Sequence, residues 1–394
     1  MRQTSNRHLS RWVVVAALLM LPPVAAFAAS PPEASRPRAR ELGIVIGRHR
    51  PGPLDAITDV AGVKVGQVTR RFGHGAMRPG RGPARTGVTA IVPREDVWHR
   101  KVPAAGTAAN GCGEMTGLAW VNECGWLETP IVVTNSHCVG RAFDGVLTWM
   151  MRRYPLIGLD EDVADPVVGE CDDSWLNDIR GRHVREEDVV RALDEARGGP
   201  VEEGDVGAGT GMAAYDFKGG IGTASRVVTS TAGCWTIGAL VASNCGSRDD
   251  LTIAGVPVGR ELPEAGPTGG PGGSIVIIVA TDAPLDSRQL GRVTRRADYA
   301  LARLGTPGHH GSGDFAIAFS TAHAIPAEAE GKRLTFRLMS DLDLDEVFQA
   351  AEEAIEESVV NSILRAHTVE GRDGHVTEAI PIDALKRILK KYGR

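Results

Sequence analysis

The stretch of this 394-residue chain with the most chemical character is a glycine-rich break that ends against a serine. Residues 265–273 read Ala-Gly-Pro-Thr-Gly-Gly-Pro-Gly-Gly, and Ser274 opens the apolar run Ser-Ile-Val-Ile-Ile-Val-Ala that closes at Ala280. One reading is a flexible connector leading into a buried strand. A phosphate-cradling loop of the Walker kind needs a lysine and then a helix, whereas here a serine and a strand follow. The pattern suits another chemistry, in which the Ser274 hydroxyl attacks the Gly273 carbonyl, the chain opens there, and the serine becomes a new N-terminus. Glycine before the nucleophile minimises crowding at that carbonyl and tolerates strained backbone angles.

Other reactive side chains are scattered. The six cysteines, at 112, 124, 138, 171, 234 and 245, show neither CxxC pairs nor zinc-knuckle spacing. Free thiols and one or two disulfides both remain open, Cys124 and Cys138 being the pair nearest in sequence. His309-His310 stands far from any cysteine, so no structural zinc site is expected. Taken alone, Ser312-Gly313-Asp314 is a tight turn before the strand Phe315–Phe319, Asn244 sits in a loop turn with Cys245 and Gly246, and Glu170 is a surface carboxylate after a strand.

Short apolar segments split by glycines, at 62–66, 87–92 and 130–133, have the character of strands. Helices are predicted between strands. One covers Val184 to Arg197 and stops at Gly198-Gly199-Pro200. A second covers Asp286 to Leu304, with Asp286 as N-cap and Gly305 past its end. A third covers Leu344 to His367, with Val347, Ala351, Ala354, Ile355, Val359 and Ile363 on one stripe. Its acidic face, with Glu352, Glu353, Glu356 and Glu357, is expected to be solvated. Interspersed strands and helices imply a layered α/β or α+β architecture.

Hydrophobic residues at 42% and charged ones at 24% exclude a disordered, collagenous or coiled-coil chain. The 48 glycines are an excess and aromatics, at 5%, are scarce, so the core must come from Val, Ile, Leu and Ala on closely approaching backbones. A formal charge of −5 gives no basic stripe for nucleic acid. Arg2, Arg7 and Arg11 precede the apolar run Trp12 to Leu21, and Ala26-Phe27-Ala28 has the small-x-small pattern of a signal-peptidase site. Residues 1–28 are therefore expected to be a cleaved signal peptide, 29–45 an extended leader, and 46–394 a single domain in the periplasm or medium. The apolar run is short for a membrane span and is broken by Pro22-Pro23, and no later run is long enough to span.

GGSIVIIVATDAPL (272–285), followed by a helix and GSGDFAIAFST (311–321), resembles the self-processing region of the DmpA-like family, the L-aminopeptidase/D-esterase and β-peptidyl aminopeptidases. Further blocks in the same order are TNSHCVG (134–140), VVGECDDSWLNDIRGRHV (167–184), EEGDVGAGTGM (202–212), FKGGIGTASR (217–226) and SNCGSRDDLTIAGVPVG (243–259). The resemblance spans nearly the whole chain from about residue 40. It implies an N-terminal nucleophile hydrolase with a four-layer α/β/β/α sandwich (α+β class). Such a chain would cut itself between Gly273 and Ser274 into an α chain (29–273) and a β chain (274–394), assembled as a multimer of αβ pairs.

By the same resemblance Ser274 is the nucleophile. Its base is either its own freed α-amine, with a reference pKa near 7.7–8.0, or a relay through Ser312 and Asp314. Asn244 matches an amide that stabilises the oxyanion, and Glu170 a carboxylate that holds the substrate's free amino group. No metal or cofactor is implied. The implied activity is that of an exported serine aminopeptidase/amidase on short peptides, amino-acid amides or esters. One position departs from the pattern: where the best-known members carry a tyrosine two residues after that glutamate, this chain has Asp172.

Two alternatives stay beside this reading. An acyl transferase of the ornithine acetyltransferase type shares self-cleavage but uses threonine at the nucleophile position. A non-catalytic exported binding protein could keep the fold, and Asp172 is the feature that raises it. TNSHCVG also has a superficial likeness to the histidine segment of trypsin-like proteases around His137, but no Gly-Asp-Ser-Gly-Gly follows.

Overall fold

The computed structural model describes residues 35–230, 233–262, 273–328 and 330–394. The expected signal peptide, the first residues of the expected leader and the glycine-rich loop up to residue 272 lie outside the described residues. The two main sheets are built from β1 (Lys64–Phe72), β2 (Ala84–Val92), β3 (Arg100–Gly111), β4 (Ile131–Asn135), β5 (Val167–Cys171), β6 (Gly220–Ser230), β7 (Gly233–Asn244), β8 (Gly273–Thr281) and β9 (Ser312–Ser320). One sheet has the order β1-β2-β4-β5, and the other runs β3-β9-β8-β7-β6 with a two-residue strand beyond β3.

β8 shows why the second sheet forms. Its β-branched residues alternate, so Ile275, Ile277 and Val279 join a cluster shared with the helices, while Val276, Ile278 and Ala280 face the other sheet. A run that is apolar on both faces belongs in the middle of a sheet. β8 pairs antiparallel with β7 and parallel with β9. The parallel pair needs a crossover, and α3 (Ser287–Thr294) and α4 (Arg296–Arg303) supply it. In the other sheet, α1 (Val139–Arg153) and α2 (Glu186–Asp194) pack Val146, Met150, Val189 and Leu193 against Val88, Ala90, Val132 and Val168. α3, α4 and α5 (Leu344–Arg365) cover the outer face of the second sheet. The result is the four-layer helix/sheet/sheet/helix sandwich, with a separate apolar cluster between the sheets.

The predicted helix Asp286 to Leu304 starts as expected: the Asp286 side chain accepts from the Gln289 N–H at 2.7 Å, and Gly305 follows its end at φ +92°. It is interrupted at Arg295, where the Thr294 hydroxyl donates to the Gly291 carbonyl instead of leaving that turn to the backbone alone. The predicted helices at 184–197 and 344–367 shorten to α2 and α5.

The acidic face of α5 is not solvated. Glu353, Glu356 and Glu357 are buried, and only Glu352 is partly exposed. The fully buried Arg226 of β6 pairs with Glu357 at 2.5 Å and Glu353 at 3.3 Å, and Arg40 reaches Glu357 at 2.9 Å. Arg40 also corrects the extended leader. Residues 36–45 pack against the domain: Ala39 is fully buried, its N–H donates to Asn361 at 2.9 Å, and Arg36 donates to the Leu364 and Ile380 carbonyls. A charged helix face can thus be interior when a neighbouring segment brings arginines to it. All six cysteines are free, Cys138, Cys171 and Cys245 being buried.

Candidate active site

Asn244 and Ser274 are directly opposed at the ends of β7 and β8. Opposed residues share a face, and Leu240, Ala242, Val276 and Ile278 fix that face as the inter-sheet one. The Ser274 side chain is buried, and its Oγ has no hydrogen-bond partner among the described residues. It lies close enough to the Cys171 thiol to act on that thiol's titration. The Cys171 pKa is pushed well up, chiefly by complete burial.

The backbone before Ser274 is special. Gly273 holds φ +128°, and a β-carbon placed on it would lie 1.8 Å from the Asn244 carbonyl oxygen. Only glycine permits both this conformation and this approach. The Gly273 carbonyl group is thereby held beside the Asn244–Ser274 pair.

The Asn244 amide is oriented at both ends. Its Oδ1 accepts from the Ala213 N–H at 2.8 Å and its Nδ2 donates to the Asp172 carbonyl at 2.9 Å. An amide nitrogen has two hydrogens, and the Asp172 carbonyl takes one of them. Asp172 enters the site through its main chain. Its carboxylate is exposed and accepts from the Ser174 N–H at 2.8 Å, closing a local turn.

Glu170 is the penultimate residue of β5, just before Cys171, and is buried. Its Oε2 accepts from the Ser136 hydroxyl and its Oε1 from the Glu114 N–H at 3.2 Å. Burial raises its pKa; those two donors oppose the rise, while the Asp172 and Glu114 charges add to it. A β-carbon on Gly113 would lie 2.6 Å from Glu170 Oε1 and 3.6 Å from the Gly313 Cα. Gly313 is in turn the parallel partner of Ser274. The carboxylate thus stands beside the strand end that carries the serine.

Ser312 and Asp314 are also buried, but they are placed differently from the other candidates. They belong to strand β9 rather than to a turn before it, and they flank Gly313. By strand alternation their side chains lie on the helix-layer face, opposite that of Ser274. There the Ser312 hydroxyl donates to Asp314 Oδ1 at 2.6 Å. Burial raises the Asp314 pKa, against the Ser312 hydrogen bond, with the Asp298 charge adding to the rise. The structure therefore opposes Ser274 and Asn244 across the β7–β8 ladder, brings Glu170 by way of Gly113 near Gly313, the strand neighbour of Ser274, and sets the Ser312–Asp314 pair behind the strand.

Several residues at the site carried no signal of their own in the sequence. Ser136 lies inside TNSHCVG beside His137, which is exposed and donates its N–H to Asn135 Oδ1 at 3.1 Å. The Ala213 and Glu114 N–H groups are main-chain donors that no residue type announces. Among the described residues no three His, Cys, Asp or Glu side chains come together as a metal site, and no helix is long and apolar enough to cross a membrane.

The chain is similar to known proteins over most of its length. Residues 55–377 match the model of peptidase family S58. A beta-peptidyl aminopeptidase of Sphingosinicella microcystinivorans is 42% identical over 377 residues, covering 92% of this chain and 94% of that one. The L-aminopeptidase D-Ala-esterase/amidase of Ochrobactrum anthropi, described as a prototype of the serine aminopeptidases and a variant of the Ntn hydrolase fold, superposes with a TM-score of 0.86. It is 44% identical and covers 91% of this chain and 99% of its own. A Burkholderia sp. beta-aminopeptidase gives a TM-score of 0.84 at 41% identity, with 91% of this chain and 99% of that chain covered.

Proposed function

The chain belongs to peptidase family S58 and is a serine aminopeptidase of the Ntn hydrolase fold, and from that premise we propose that it activates itself by cleavage between Gly273 and Ser274 and then uses Ser274 as its N-terminal nucleophile. The observation that carries this is the buried, unpartnered Ser274 Oγ next to a glycine that no other residue could replace without displacing Asn244.

In self-cleavage the Oγ–C bond to Gly273 forms and the C–N bond breaks, the hydroxyl proton passing to the departing nitrogen. Water then hydrolyses the resulting ester, leaving a Gly273 carboxylate and a Ser274 α-amine. In turnover the substrate carbonyl takes the place of Gly273. The remaining Asn244 N–H faces the tetrahedral oxyanion, a charge present only in the transition state. Glu170 holds the substrate's ammonium group, which confines cleavage to the first residue. With the Asp314 carboxyl on the far face of the strand, the α-amine is the better-placed base for Oγ; Ser312 and Asp314 then act on that amine from behind.

Asp172 fits this scheme because its exposed carboxylate is engaged by the Ser174 N–H, while Asn244 meets only its main-chain carbonyl. The substrates proposed are short peptides, amino-acid amides or esters. Export by residues 1–28 to the periplasm or medium, and assembly of αβ pairs into a multimer, belong to the same proposal. Hydrolysis of L-, D- and β-aminoacyl p-nitroanilides by the wild type, Ser274→Ala and Asp172→Tyr tests it. Turnover that survives Ser274→Ala refutes the nucleophile, and acyl transfer to ornithine without hydrolysis refutes the peptidase assignment.

A further inference from the structure

Lys218 is the one lysine in the fully buried set of large side chains, and no step above uses it. Its Nζ donates to the carbonyls of Gly209, Met212 and Gly219 at 2.9, 2.7 and 2.7 Å. An ammonium has three hydrogens, and all are engaged on main-chain oxygens. Burial lowers its pKa to about 7, with Asp205 and Asp173 opposing that fall and Arg71 adding to it. Burying an ammonium costs free energy, which its three hydrogen bonds to main-chain carbonyls offset.

The three carbonyls belong to one compact segment, residues 207–219, made of the 3₁₀ helix Gly207–Gly211 and the hairpin that pairs Ala213-Ala214 with Phe217-Lys218. Met212 immediately precedes Ala213, which is paired in register with Lys218 itself. Ala213 supplies the N–H that fixes Asn244 Oδ1. The same segment is fastened to the end of β7 by the Tyr215 N–H, which donates to the Cys245 carbonyl at 2.9 Å. A shift of the Met212 carbonyl would therefore move the Ala213 donor, and with it the Asn244 amide that faces Ser274.

We propose that Lys218 is a positioning residue for catalysis: its ammonium clamps the 209–219 segment so that the Ala213 N–H locks the Asn244 amide in the orientation that receives the oxyanion. The proposal rests on the reading of Asn244 as the oxyanion donor. Lysine is suited to it because a tetrahedral ammonium can point three donors at three carbonyls, which the planar guanidinium cannot reproduce.

The test is a double-mutant cycle in the full-length chain, with self-cleavage followed on gels and kcat and KM measured on the cleaved fraction. Loss of an oxyanion donor costs about 10²–10³ in kcat. Lys218→Met is expected to lower kcat roughly 30- to 100-fold, less than outright loss of the donor because the amide is misoriented rather than removed, with KM changed by less than about twofold. In an Asn244→Ala background the same substitution is expected to cost less than about threefold, because the group it orients is gone. Unchanged kcat in Lys218→Met, or losses that multiply in the double variant, overturn the proposal. If Lys218→Met fails to fold, Lys218→Arg keeps the charge: amide exchange at residues 209–213 and kcat should change together, and faster exchange with unchanged kcat overturns it. Failure of the function reading itself shows separately, as wild-type turnover that Ser274→Ala leaves intact.

Discussion

Replacing Gly273 by alanine adds a single methyl group, and the structure says where that group would go. The new β-carbon would lie 1.8 Å from the Asn244 carbonyl oxygen and 2.9 Å from its carbon, at φ +128°. Backbone strain of this kind costs of order 1–3 kcal/mol. To reach even a tight contact, one of the two strand ends must also retreat by roughly 1 Å, and misplacement of reacting groups by that much costs about 10²-fold in rate. Asn244 and Ser274 are direct partners in the β7–β8 ladder, so the retreat separates the oxyanion donor from the nucleophile. Gly273→Ala is therefore expected to slow conversion of the precursor at least about 100-fold while the chain still folds. The assay is the half-time for conversion of full-length chain into two fragments on denaturing gels, with circular dichroism as the control for folding. Processing within about threefold of wild type would refute the argument that this glycine aligns the scissile bond.

Asn244→Ala should lower kcat by about 10²–10³ with little change in KM, read from steady-state kinetics on an aminoacyl p-nitroanilide. Glu170→Gln should raise KM about 10- to 100-fold, the worth of a charge-assisted hydrogen bond to the substrate's ammonium. Because burial raises the Glu170 pKa, wild-type KM should climb as pH falls through a value above the ordinary carboxylate range, whereas the Gln variant should show no such climb. Arg226→Met removes the fully buried cation that Glu353 and Glu357 share, leaving Glu357 to Arg40 alone, and should destabilise the Ser274→Ala precursor by about 3–5 kcal/mol in urea unfolding.

Much of the architecture was legible because its physical causes are local. The run at 274–280 is β-branched on both faces, which is what a central strand requires, and Asp286 with Gln289 carries its own helix start. What was missed depends on partners distant in sequence. The glutamates of α5 form the period-3.6 polar face of a surface helix, and nothing in that segment tells that Arg40 and Arg226 will cover it. Ser312-Gly313-Asp314 has turn composition, yet β9 draws it into the sheet through pairing with Gly273 and Ser274. The proposed roles of Ser274 and Asn244 rest on a family resemblance, but their opposition across the β7–β8 ladder is a register, which the intervening residues 245–272 do not encode. The same holds for Lys218, whose importance lies in three main-chain oxygens that have no sequence signature.

The central claim is that this chain makes its own nucleophile. Intact-mass measurement with N-terminal sequencing, on the purified wild type and on Ser274→Ala, tests it most directly. The account predicts two wild-type fragments, the second beginning Ser-Ile-Val-Ile at residue 274, and one uncut chain for Ser274→Ala. A single intact wild-type chain that hydrolyses substrate as well as Ser274→Ala does would contradict it.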